Sequence, residues 1–448
     1  MSVNLYAEPD AMLQGAGRLA AAAAELAPAA TKQAMAGTPA GEQFGRVPGS
    51  VAATAACRAA FDVLQRFLTE TATRVERLSE AVRTVSGRYG RMDARLRQLY
   101  HELLTESDGQ RRDNLGLAVA TAPATGADPA AVDDWWQRRD ADARERMVTT
   151  HPELIGALDG VPIEARDRAN RALLERALAE QRQLLAEKNA GGSTAETLEV
   201  GGKVAALEAI QRRLADPGTR LPAFLVALDA GGDGRTIISA GNPDTASRSL
   251  TYVPGMYSNL ASAPTIFDDI DVIAARAPQG TAMSLWLNYD APNGLDEVQL
   301  RTHAQEAAPH LTRYLDGLRI THQGESAPWN VLLAHSYGTT TVGVTGATFG
   351  IDVDRAHLMG SIGTTVPSVH GLLGVDPGDV TVMTTPNDVA HLVPGYPGWH
   401  GPDPSLPEWN GVVIPLPYEG GMVDSHTMYL KDPRVQDFIL KLLGGEGR

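Results

Sequence analysis

The spacing of apolar positions changes twice along the chain. From about residue 8 to 110 it is helical, in two arms. In the first, Met12, Leu19 and Leu26 recur with Ala16 and Ala23 between them; in the second, Cys57, Phe61, Leu64, Leu68, Val75, Leu78, Val82 and Val85 fall three or four apart, with Thr71 in the one gap. Such a stripe, with Arg and Glu on the other faces, predicts two antiparallel helices. The intervening Gly37, Pro39, Gly41, Gly45, Pro48 and Gly49 supply the bend. Two helices sharing one narrow seam enclose no pocket, so residues 1–110 read as an association or delivery module. Residues 111–134, with LGLAVATAPATGADPAAVDD, have no periodic face and read as a linker.

Helical signals return from Trp135. Leu158-Asp159-Gly160-Val161-Pro162 is a turn before a long helix ending near Gly191-Gly192. A shorter helix from Gly202 to Leu214 carries Val204, Leu207, Ile210 and Leu214 on one face. This segment, 135–215, is expected to pack on the domain that follows, 216–448. There the apolar runs shorten to strand length, at Phe224–Leu228, Thr236–Ser239, Ser249–Val253, Ala282–Leu287, Val331–Leu333, His357–Ser361, Val380–Thr384 and Val412–Leu416. Helices are expected near Asp296–Leu318, after Ser336 and from Arg434 to Leu443. Antiparallel strands followed by alternating units predict an α/β fold, a mostly parallel sheet flanked by helices, preceded by the all-α hairpin region. This is the α/β-hydrolase plan.

Composition narrows the function. A formal net charge of −15 argues against binding a phosphate backbone, which needs clustered Lys and Arg. The single cysteine, Cys57, excludes an internal disulfide and a thiolate zinc cluster. No apolar run is long enough to span a bilayer, and MSVNLYAEPDAML lacks the features of a secretory signal peptide, so a cytoplasmic protein, or one exported without a cleavable signal, is expected.

The chemistry centres on NVLLAHSYGTTTVG, Asn330–Gly343. A strand-like run meets Ala334-His335-Ser336-Tyr337-Gly338 and then a helix-like segment, the layout of a nucleophile elbow, in which small residues flank the serine because the backbone reverses tightly. Gly338 fits G-x-S-x-G; Ala334 replaces the first glycine. A serine hydroxyl needs a base oriented by a carboxylate, and in this fold the order is Ser, acid, His. Asp388, after Val380–Thr384, and His426, after the last strand, have that order; their alternative roles are a helix cap and a surface turn. Asp352, Asp354, Asp376, Asp379 and Asp424 compete for the acid, and His335, His391 and His400 for the base. An oxyanion hole would take the N–H of Tyr337 and that of Met256, or of Tyr257, at the Pro254-Gly255 bend. The stretch His391–Trp409, rich in Pro, Gly and aromatics, is either a cover over the pocket or a rigid loop. Trp286, Tyr289 and Tyr257 are candidate pocket walls or core.

The hairpin together with Tyr89-Gly90-Arg91-Met92-Asp93 resembles the WXG-type substrates of type VII (ESX) secretion systems, although the turn has Phe44-Gly45 in place of Trp-x-Gly. That resemblance implies a helical protein partner. Trp135 to Arg171, Val253-Pro254-Gly255-Met256, Leu285 to Pro292, Ala334 to Gly338 and Ser425-His426 resemble an actinobacterial family of α/β-hydrolases of unknown function, whose members usually carry Gly at the position of Ala334. It implies the fold and a Ser336–Asp388–His426 triad. The expectation is therefore a serine hydrolase acting on a small ester or acyl substrate, with no metal or organic cofactor and no nucleic-acid partner. The alternatives are an inert hydrolase-fold binding protein linked to secretion, and a peptidase or thioesterase.

Overall fold

Eight strands form one sheet in the computed structural model, in the order β1-β2-β4-β3-β5-β6-β7-β8. Residues 118–216, 218, 221–324, 326–392, 400–418 and 420–444 are described. The expected hairpin, Cys57 and Tyr89–Asp93 lie outside them. The chain divides into two compact units, Met1–Ala120 and Thr121–Arg448, and the sheet belongs to the second.

Four short or medium helices and one long one precede the sheet: α1 (Pro129–Gln137), α2 (Ala141–Thr150), α3 (Pro152–Gly156), α4 (Ile163–Gly191) and α5 (Thr194–Ala215). α1 begins inside the stretch read as a linker. The reason is local: the Asp128 carboxylate accepts from Ala130 N–H, and Pro129 occupies the first turn, where its missing N–H costs nothing. α5 also starts earlier than the apolar face suggests, because Ser193 and Glu196 form a capping box.

The motif around Arg166–Arg171 has a distinct task. β1 (Ala223–Asp229) is an edge strand with an irregularity between Leu225 and Ala227 that interrupts its ladder to β2 (Arg235–Ala240). Asn170 on α4 donates to the carbonyls of Leu225 (3.2 Å) and Val226 (2.8 Å), and Asp167 accepts from Leu225 N–H (2.7 Å). Side chains of α4 thus satisfy backbone groups that the bulged strand leaves unpaired. α4 itself starts at Pro162 without a side-chain cap of its own; Ile163 N–H donates to Asp244, 2.6 Å away.

After β2 come β3 (Arg248–Val253), α6 (Ala263–Ala274), β4 (Thr281–Leu287), α7 (Leu295–Val298), α8 (Thr302–Thr321), β5 (Trp329–His335), α9 (Tyr337–Thr348), β6 (Arg355–Met359), β7 (Val380–Thr384), β8 (Val412–Pro415), α10 (Met422–Thr427) and α11 (Pro433–Gly444). β1 to β2 and β2 to β4 pair antiparallel; every other neighbouring pair is parallel. Each of the expected strands is present, within two residues at most of their ends. The helix expected over Asp296–Leu318 is instead two, α7 and α8, separated near Arg301. α6 has no counterpart among the expected helices, although its apolar Phe267, Ile270 and Ile273 are all buried. Among the described residues, no helix is long and apolar enough to cross a membrane.

Candidate active site

Ser336 stands between β5 and α9 with φ 55° and ψ −126°, a backbone conformation that a side-chain-bearing residue adopts only at a cost of about 1–3 kcal/mol. The surroundings enforce it. Ser336 N–H donates to Met359 O on β6 (3.0 Å), and the Thr339 hydroxyl and N–H donate to Ser336 O at 2.7 and 3.0 Å. Ala334 is fully buried, in register with Val253 on β3 and Leu358 on β6, so a methyl group fits where the elbow pattern has glycine. Gly338 is the stricter position: a Cβ there would lie 2.3 Å from Val253 O.

His426 and Asp388 converge on this serine from distant segments. His426, on the short helix α10, has Nε2 2.9 Å from Ser336 Oγ and Nδ1 2.7 Å from Asp388 Oδ1. A carboxylate accepts only, so Nδ1 carries the proton and Nε2 is left as the acceptor facing the serine hydroxyl. Asp388, in the loop after β7, is 2% exposed. Burial alone would raise its carboxyl, but hydrogen bonds from His426, Tyr429 and Ala390 N–H outweigh it and hold the group below the usual carboxylate range. Gly360, just after β6 with φ +50°, makes room: a Cβ there would lie 2.8 Å from Asp388 Oδ2 and 3.1 Å from His426 Nδ1.

The bend after β3 lies directly against the serine. A Cβ on Gly255 would meet Ser336 Cβ at 2.6 Å. Tyr257 N–H donates to Pro292 O (2.9 Å), so of the two N–H groups at this bend, Met256 is the one to consider. Tyr337 opens α9, where first-turn N–H groups have no acceptor within the helix. Trp286 and Tyr289 are core residues and not pocket wall: they stack with centroids 5.8 Å apart, and the Tyr289 hydroxyl braces the bend by donating to Pro254 O (2.6 Å). Tyr257 is exposed.

The family model for alpha/beta hydrolases matches residues 229–396, a span that includes Ser336 and Asp388 and stops before His426. An uncharacterized protein of Mycobacterium bovis is 30% identical over 211 residues, 43% of this chain and 77% of the relative. The chain belongs to the alpha/beta hydrolase family. An uncharacterized protein of Mycobacterium tuberculosis is 31% identical over 293 residues, 59% of this chain and 44% of the relative, so the chain spans under half of that relative's length. Among solved structures it is similar to an esterase of Pyrobaculum calidifontis (12% identity, 59% of this chain and 96% of that one, TM-score 0.32). It is also similar to an esterase of Mycobacterium marinum (11%, 56% and 90%, TM-score 0.35). The fold assignment rests on the sheet order and the family match.

In this alpha/beta hydrolase the competing acids and bases have other partners. Asp354 and Asp379 precede β6 and β7, at the strand ends away from Ser336, and Asp376 accompanies Asp379 there; Asp352 pairs with Arg319 (2.5 Å). Asp424 is exposed on α10. His391 faces Asp403 (3.2 Å), which raises its affinity for a proton. His400 is buried, with Nε2 donating to Val298 O (2.6 Å). In the stretch considered as a cover, residues 393–399 lie outside the described ones, while Trp409 is fully buried and donates to Val366 O (3.3 Å), which anchors that end in the core. No cluster of three or more His, Cys, Asp or Glu suited to a metal occurs among the described residues.

Gly360 and Tyr429 are absent from the sequence expectations, and His335, a competitor there for the base, supports the base instead. His335 donates from Nε2 to the carbonyl of His426 (2.7 Å), with ring centroids 4.7 Å apart. Burial, with His426 alongside, pushes it down to about 3, so it stays neutral beside the base. The one available signal was Gly360 immediately after a buried strand, where a glycine marks a close approach.

Proposed function

We propose that this chain is a serine hydrolase that cleaves a carboxylic ester through an acyl-enzyme, with Ser336, His426 and Asp388 as its triad. The reading rests on one observation, the continuous hydrogen-bonded line Ser336 Oγ, His426 Nε2 and Nδ1, Asp388 Oδ1 at 2.9 and 2.7 Å, built on a serine held at positive φ. In the proposed reaction Ser336 Oγ attacks the ester carbonyl while His426 Nε2 takes its proton. Asp388 keeps the imidazole in the tautomer that can accept that proton and stabilises the imidazolium. The N–H groups of Tyr337 and Met256 receive the developing oxyanion. Collapse expels the alcohol, which takes the proton from His426, and water repeats the sequence to release the acid. A fluorophosphonate probe tests this directly: it labels the wild type and leaves Ser336→Ala unlabelled. Folded wild type that resists the probe would sink the reading.

For residues 1–110 we carry the proposal of a helical association or export module, on the strength of the apolar seam and Tyr89–Asp93. Removing them and assaying hydrolysis and location separately tests it; loss of hydrolysis with location unchanged would contradict it.

A further inference from the structure

Asp388 has two carboxylate oxygens, and the base uses only one. Oδ1 accepts from His426 Nδ1 and from Ala390 N–H, each at 2.7 Å. Oδ2 accepts from the hydroxyl of Tyr429 at 2.5 Å. Tyr429 is 2% exposed and lies two residues beyond the end of α10, so the helix that carries His426 also leads to the group that holds its acid. Its ring packs on His335, centroids 5.5 Å apart, and His335 in turn holds the His426 carbonyl. Gly360 clears the space for all of this, since a Cβ there would lie 2.9 Å from Tyr429 Cε2 as well as against Asp388 and His426.

Resting on the triad reading above, we propose that Tyr429 is a positioning residue, which locks the Asp388 carboxylate in the plane of the imidazole and shares its charge. A buried tyrosine kept only for volume would not need a polar atom there, and leaving one unpaired would be costly. This hydroxyl is spent on the catalytic acid. Its donation favours ionised Asp388 and draws charge away from the oxygen that faces His426. The ionisable groups facing this network are His426 on α10, His335 at the end of β5, Asp388 itself and His391 one turn further along its loop, the last already engaged by Asp403. His335 is held neutral by burial, so it does not titrate in competition.

The test is the rate of fluorophosphonate labelling from pH 4 to 9 for the full chain and its variants, which needs no knowledge of the natural ester. Tyr429→Phe keeps the ring and removes only the hydroxyl. It is expected to label about tenfold more slowly, a loss in the range of one hydrogen bond to a charged group, with its acidic limb moved up by about half a pH unit to one unit. Replacing Tyr429 with 3-fluorotyrosine, a stronger donor of the same shape, is expected to move that limb down. A Tyr429→Phe protein, or the fluorinated one should the Phe variant not fold, whose limb coincides with that of the wild type overturns the proposal while leaving the triad in place. Wild type that does not label at all overturns both.

Discussion

At the carboxyl ends of β5, β6 and β7, side chains from Ser336, Asp388, His426 and Tyr429 meet in a hydrogen-bonded network, and Gly360 leaves out a Cβ that would crowd Asp388, His426 and Tyr429. At the amino ends of the same strands, Trp329, Val353, Asp354, Asp376 and Asp379 line an open cleft of about 450 Å³. Its carboxylates already have partners: Arg355 Nε is 3.4 Å from Asp379 and its guanidinium lies 5.8 Å from the Trp329 ring centroid, Arg319 reaches Asp354 as well as nearby Asp352, and Asp376 accepts from Gly378 N–H. What separates the two ends is geometry and not the supply of reactive groups, since the amino end holds more carboxylates. In a parallel sheet the carboxyl ends deliver side chains to a common crevice and lead into helix N-termini, where N–H groups point outward. A cleft lined by charges that already have partners lacks that convergence.

The largest effect should separate the ends by a carboxylate on each. Asp388→Asn is expected to lower kcat by about 10⁴, because the wrong imidazole tautomer then faces the serine. Asp379→Asn should leave kcat within about twofold, a surface-type change with no path to the serine. Steady-state hydrolysis of a p-nitrophenyl ester measures both, and equal losses would erase the distinction.

Glycines sharpen it next. Gly338→Ala puts a Cβ 2.3 Å from Val253 O beside Ser336, so activity per folded molecule should fall about 100-fold, along with a stability loss of about 2 kcal/mol. Gly374, at the amino-end cleft, has φ +85°, and a Cβ there would lie 2.5 Å from Ile351 O. Gly374→Ala should cost similar stability by denaturant unfolding, yet keep the activity of the folded fraction.

A smaller effect is the acid limb of stability. His357 on β6 is fully buried, bonded through Nδ1 to Thr381 Oγ1 (2.6 Å), and burial pushes it down to about 3. The unfolded chain binds its proton near 6.5 and the folded one does not, so its contribution is complete above pH 6.5 and is lost as pH falls towards 3. The slope is about 1.4 kcal/mol per pH unit. His335 adds in the same direction. His357→Gln should flatten this limb in urea melts between pH 4 and 6; an unchanged slope would mean that the imidazole is accommodated charged.

Smallest of all, Arg319→Met at the amino end should change stability by no more than about 1 kcal/mol, with 1 M salt removing most of the difference. A loss of several kcal/mol would show that those ion pairs organise the sheet.

Much of this was legible beforehand because it is local. The strands announced themselves as short apolar runs between turn residues, and Ser336, Asp388 and His426 stood in the chain order that the fold requires. The elbow survived the substitution at Ala334, since a methyl group between Val253 and Leu358 fits where the backbone at Gly338 admits nothing. Other features were hidden for equally physical reasons. α1 emerged from a stretch that looked like a linker because one aspartate capped it, and the helix expected over Asp296–Leu318 broke into two. Whether Trp286 and Tyr289 are pocket wall or core was open in the sequence, and they are core, since exposure is a property of the packed molecule.

The sequence by itself determined the periodicities, hence the layers, and the order of the reactive residues along the chain. Only the tertiary structure decided that Tyr429 binds the free oxygen of Asp388, that His335 holds the backbone of His426, and that Gly360 must be bare for them to meet. Those contacts join residues 41, 91 and up to 69 positions apart. Periodicity reports which face of an element is buried; it carries no information about which distant side chain arrives there, because that depends on strand order and register, which form only when the sheet assembles.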